Sequence, residues 1–191
     1  VEPHEGFNVV FMGNMGRVQG IQTMLDAMEL LPTESGVTLH FVGDGVLLSE
    51  AKDRVASGDL RGRVVFHGRQ PVERLKQYYS IADACILSLE GETLIGGTIP
   101  SKLQGYMSAG RAVIAAVSGG ARWVVEESGC GIAVDPGDIA ATAEAILTLA
   151  NDQCLRVEMG ERGRIYAEAH FTKAVYLDSL EKQLSCIVKE G

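Results

Sequence analysis

Six short, almost unbroken apolar runs constrain this chain more than any other feature. They are Phe7–Met12, Val37–Val42, Val64–His67, Ala84–Leu87, Ala112–Val117 and Gly131–Val134. Rich in Val, Ile, Phe and Ala and without in-out alternation, they read as strands covered on both faces. The segments between them are long enough for the crossover helices that parallel neighbours require. The clearest is Gly20–Leu31, with Ile21, Met24, Leu25 and Met28 at i, i+3, i+4 and i+7. Pro71–Ile81 carries an apolar stripe of Val72, Leu75, Tyr78 and Tyr79, and Ser101–Ala109 starts after Pro100 and stops at Gly110. Past the sixth run, Asp138 can cap a helix over Ile139–Ala150. Proline-free helical segments follow at Leu155–Phe171 and Ala174–Val188. This order predicts an α/β fold: a Rossmann-like, doubly wound parallel sheet of about six strands, helices on both faces and a helical C-terminal tail.

With 191 residues, no repeat and no dividing linker, residues 1–191 are expected to form one domain. The net charge of −8 argues against nucleic acid as a partner. No apolar run approaches the roughly 18 residues of a membrane span. Val1-Glu2-Pro3-His4 has neither the basic start nor the apolar stretch of a signal peptide, and the missing initiator methionine suggests a piece of something longer. Cys85, Cys130, Cys154 and Cys186 show no C-x-x-C spacing, which argues for reduced thiols in a cytosolic protein, with Cys85 a small buried hydrophobe. His4, His40, His67 and His170 are equally dispersed, so no metal site is expected.

Doubly wound sheets bind ligands beyond the carboxyl ends of their strands, and there this sequence is richest in glycine. The loop after the first strand runs Gly13-Asn14-Met15-Gly16-Arg17-Val18-Gln19-Gly20, which is neither a dinucleotide fingerprint nor a P-loop. Gly43-Asp44-Gly45 follows the second strand, Ser88–Pro100 with Gly91, Gly96 and Gly97 follows the fourth, and Ser118-Gly119-Gly120 follows the fifth. Such glycines serve equally well as plain turns or as close approaches to a ligand. Arg17 reads either as a phosphate clamp or as a solubilising arginine. In Thr98-Ile99-Pro100-Ser101-Lys102, a hydroxyl, a cation and the free N–H groups of a helix start converge, as a diphosphate would require; the plain alternative is a capped helix with a solvated lysine. Glu90 and Glu92 lie in the long loop without an evident partner, Glu126-Glu127 reads as a solvated face, and Trp123 as packing.

In order, F-M-G-N-M-G-R-V-Q-G, L-H-F-V-G-D-G, V-V-F-H-G-R-Q-P, Y-Y-S-I-A-D-A-C-I-L, T-I-P-S-K-L-Q-G-Y-M-S-A-G-R-A-V-I-A and G-C-G-I-A-V-D-P-G-D resemble the C-terminal half of a GT-B retaining glycosyltransferase of the group 1 (family 4-like) type. The likeness runs from Phe7 to Leu184, and G-N-M-G-x-x-Q-G with I-P-S-K-L is similar to bacterial surface-polysaccharide transferases. The resemblance implies a sugar-nucleotide donor held by Gly13, Asn14, Gly16, Arg17, Gln19, Gly43 and Gly45, with Gly97, Thr98, Ser101, Lys102, Gln104 and Gly105 across the site. His67-Gly68-Arg69-Gln70 would meet the base largely through the backbone. It further implies a metal-free, cofactor-free cytoplasmic enzyme, peripheral at the inner membrane face in its full-length form. A saccharide or lipid-linked acceptor and the catalytic residues would belong to an N-terminal half that this chain does not contain, so the fragment alone is expected to be inactive.

Three departures from the family pattern stand out. Asn14 and Gln19 occupy positions where the family commonly has arginine and lysine. Gly97 and Gly105 replace both carboxylates of its Glu-x7-Glu pair, leaving Arg17, Lys102 and Gln104 to compensate. The acceptor half is the third. Two rival readings follow: half of a sugar-nucleotide 2-epimerase, and a nucleotide-binding module that has lost catalysis.

Overall fold

Each apolar run is a strand in the structure, a computed structural model that describes residues 1–90, 99–175, 177–178 and 180–181. The strands are β1 (Phe7–Met12), β2 (Val37–Val42), β3 (Val64–Gly68), β4 (Ala84–Ser88), β5 (Ala112–Ala116) and β6 (Gly131–Val134). They form one parallel sheet in the order β3-β2-β1-β4-β5-β6. The direction of winding reverses between β1 and β4, opening a crevice at their carboxyl ends.

Strand side chains alternate between two apolar layers. Val9, Phe11, Leu39, Phe41 and Ile86 share one core with α1 (Ile21–Leu30), α2 (Leu48–Ser57) and α6 (Ile139–Asn151). Val10, Met12, Cys85, Leu87 and Val113 share the other with α3 (Leu75–Ile81), α4 (Ser101–Ser108), α5 (Gly119–Ser128) and α7 (Gln153–His170). Both faces are covered, which is why the strands read as continuous apolar runs.

The carboxylates of Asp138 and Asp152 accept the N–H groups of Ala141 and Leu155 at 2.9 and 2.8 Å, capping α6 and α7. The stripe at Pro71–Ile81 divides into a 3-10 turn at Val72–Arg74 and α3. Two corrections concern α5. The glycine pair expected in a loop forms its first turn, and Trp123 on it is 58% exposed rather than packed. Of the expected tail helix, residues 173–175, 177–178 and 180–181 are helical, and the rest lies outside the described residues.

Helix α7 returns across the sheet onto α4 and β5 and approaches them closely. A Cβ on Gly160 would stand 2.3 Å from the Gly110 carbonyl oxygen, and one on Gly163 would stand 2.9 Å from Cys130 Cβ.

Candidate functional site

The loops leaving β1, β2 and β3, together with α3 and the start of α4, enclose a cavity of about 840 Å³. Tyr106 of α4 anchors its floor. The buried phenol accepts from the Met12 N–H at 2.9 Å and donates to the Met12 carbonyl at 3.3 Å, tying α4 to the end of β1. Two glycines let the walls meet. At Gly13 (φ +144°) a Cβ would lie 3.0 Å from Lys102 Cδ, and at Gly43 (φ +151°) it would overlap the Gly13 carbonyl.

Lys102 is the central group. It projects from the first turn of α4, whose N-cap residue, Pro100, offers no side-chain hydrogen bond. Its ammonium lies 4.5 Å from the centre of the Phe11 ring and donates to the Gln19 side-chain oxygen. Burial, with no compensating anion among the described residues, lowers its pKa from 10.5 to about 8. Among the described residues of the wall, Asp44 alone is acidic, and its carboxylate accepts the N–H of Gly45 at 2.7 Å. The opposite side carries Arg69, Gln70, Leu75 and Tyr79. The cavity thus offers a cation and the N–H groups of a helix start at one end and a partly apolar wall with the planar Arg69, Gln70 and Tyr79 side-chain groups at the other. That suits an anion carrying a planar group.

Of the residues expected from sequence, Gly13, Asn14, Gly43, Gly45, Arg69, Gln70, Ser101 and Lys102 line this cavity. Gln19 reaches it through Lys102. Gly16 packs against the Asn14 side chain, and Arg17 is exposed in the 3-10 turn Arg17–Gln19. Gln104 is half-buried on α4 outside the cavity wall, and Gly105 lines an adjoining hollow. Gly97 and Thr98 lie outside the described residues, as do Gly91, Glu92 and Gly96. Glu90 accepts the hydroxyl hydrogen of Thr23, a tie between the β4 exit and α1. Sequence reasoning missed Tyr79 and Tyr106, because an aromatic at helical spacing looks like core.

The side chain of His67 has a different setting from its backbone. It meets His40 through Nε2···Nδ1 at 3.0 Å, and His40 Nε2 donates to Asn8 Oδ1 at 2.9 Å. Asn8 Nδ2 donates to the carbonyls of His4 and Gly6, so its oxygen faces His40, and the chain of partners requires His67 Nε2–H to donate to His40 Nδ1. Three histidines dispersed in sequence thus converge, with the His4 and His40 ring centres 5.4 Å apart. Burial, then the neighbouring imidazoles, lowers His40 to about 4, and His67 is lowered chiefly by burial as well. The His67 carbonyl accepts from Gln70 Nε2, a cavity-wall residue, at 2.7 Å.

Known proteins share this architecture. The probable glycosyltransferase WbjE of Pseudomonas aeruginosa is 29% identical over 182 residues, spanning 93% of this chain and 43% of that protein. The Anabaena protein Alr3699/HepE, solved in complex with UDP and glucose, superposes with a TM-score of 0.82 at 22% identity, over 94% of this chain and 48% of that one. The C-terminal domain of a glycosyl transferase group 1 family protein (LpcC) from Francisella tularensis superposes with a TM-score of 0.74 at 19% identity, over 90% of this chain and 88% of that one. The two structural likenesses speak for the fold. The chain spans less than half the length of the curated relatives it matches. The sequence model described as glycosyl transferases group 1 matches residues 1–166, and the chain belongs to that family.

Proposed function

We propose that this chain is the donor-binding half of a retaining glycosyltransferase. The complete enzyme would move a sugar from a nucleoside diphosphate to a saccharide or lipid-linked acceptor in polysaccharide assembly. One observation carries the reading: among the described residues, Lys102 holds a desolvated ammonium with no counter-anion at the start of α4, opposite Gly13. A diphosphate placed there would receive the Lys102 charge, the Ser101 hydroxyl and the free N–H groups together. Arg17, two residues before the Gln19 that touches Lys102, would add a second cation. Fixed charges of this kind stabilise a departing diphosphate without a metal. The base would lie along Arg69 and Gln70, with Gln70 giving up its bond to the His67 carbonyl. The UDP held by the Anabaena relative supports the choice of ligand, and the transferase family match favours this reading over an epimerase. The glycine at position 105 favours, as a second reading, a binding module without turnover, which assay of the full-length protein would decide.

Calorimetry with UDP, GDP, ADP and TDP tests the site. At least one should bind in the micromolar to millimolar range, about −4 to −8 kcal/mol. Lys102→Ala and Arg17→Ala should each weaken that nucleotide by about 1–3 kcal/mol, as loss of a charged hydrogen bond does, while the bare nucleoside is unaffected. Unchanged binding in both variants would place the anion elsewhere.

A further inference from the structure

Tyr79 is a polar group of the cavity that the donor reading leaves unused. Its ring is half-buried on the last turns of α3 and stands in the wall of both the main cavity and the adjoining hollow of about 560 Å³. Among the described residues its hydroxyl has no hydrogen-bond partner. A Cβ on Gly105 would lie 2.8 Å from that oxygen, so the absence of a side chain at 105 is what allows the phenol to rest over α4. Edge-to-face contact with Tyr106, at 6.3 Å between ring centres, holds it there. Burial raises the phenol to about 12, so it stays protonated and able to donate across the neutral range.

Position decides what this hydroxyl can meet. Gly105 lies four residues beyond Ser101, about 6 Å along the helix at 1.5 Å per residue. Arg69 and Gln70 lie just ahead of α3 in the chain. A nucleotide with its phosphates at the α4 start and its base on Arg69 and Gln70 must carry its sugar past the intervening wall. We propose that Tyr79 Oη hydrogen-bonds the ribose hydroxyls of the bound nucleotide, so that the site prefers ribonucleoside over deoxyribonucleoside diphosphates. This inference rests on the donor-binding reading above.

The test uses the 191-residue chain, its Tyr79→Phe variant, and UDP, 2′-deoxy-UDP and 3′-deoxy-UDP as titrants. Phenylalanine keeps the ring and its packing and removes only the hydroxyl. Tyr79→Phe should weaken UDP by about 3- to 10-fold, the range of one neutral hydrogen bond. With whichever deoxy form lacks the contacted hydroxyl, wild type and variant should bind alike. If Tyr79→Phe binds UDP as wild type does, or if its loss is undiminished with both deoxy forms, the inference fails while donor binding stands. If wild type binds no nucleotide at all, the donor reading fails and this one with it.

Discussion

His40 is a fully buried imidazole whose two nitrogens are both committed, one to Asn8 and one to His67. A second proton would have to enter at Nδ1, against the hydrogen that His67 already points there, so the folded chain holds His40 neutral down to a pKa of about 4. An unfolded chain protonates it near 6.5. Because the folded value is depressed, the contribution is complete above 6.5 and is lost as pH falls toward 4; that gap corresponds to about 3 kcal/mol. Urea midpoints of the wild type should therefore drop between pH 7 and 4.5, and His40→Gln should flatten that part of the profile. Equal pH slopes would show that the imidazole does not carry the effect. None of this was legible in a sequence where His4, His40 and His67 look unrelated. The parallel register sets Val10 beside His40 and His40 beside Val65, and a register is a property of paired strands.

Among the elements, all six strands were legible, since a strand covered on both faces leaves a continuous apolar run. α2 and α5 escaped individual notice. α2 buries only Ala51 and Val55, while α5 opens on two glycines that resemble a turn. Eight of the fifteen residues that line the cavity were expected from the sequence, five of them glycines or cations in the loops beyond the strands or at the start of α4. Tyr79 was not, because the gap at Gly105 that turns a stripe aromatic into a cavity wall exists only between packed helices. Helix α7 offers a test at this scale. Glycine inside a helix normally costs about 1 kcal/mol against alanine. Gly160→Ala should nevertheless destabilise the protein by about 1–3 kcal/mol, because the added methyl would meet the Gly110 carbonyl at 2.3 Å. A thermal melt showing a raised midpoint would mean that α7 does not seat so closely.

For the molecule as a whole, the cavity supplies a cation, the N–H groups of a helix start and a wall of Arg69, Gln70, Leu75 and Tyr79. Among the described residues of its wall there is no histidine or cysteine to move a proton or attack a sugar. Transfer needs donor and acceptor held together, an advantage of roughly 7–11 kcal/mol when both are bound in attack geometry. We expect the 191-residue chain alone to transfer no sugar and to hydrolyse no donor above background. A version carrying about 170–200 further residues upstream, one more typical domain, should turn over. Protein-dependent product from the short chain, surviving repurification, would contradict this.

The strand order also governs how the chain must emerge from a ribosome. β1 lies inside the sheet, with β2 on one side and β4 on the other. Its first neighbour is complete by Val42, but the second does not begin until Ala84. Throughout that interval of synthesis, the nascent sheet presents the apolar β1 edge with its backbone N–H and carbonyl groups unpaired, a ready template for another chain.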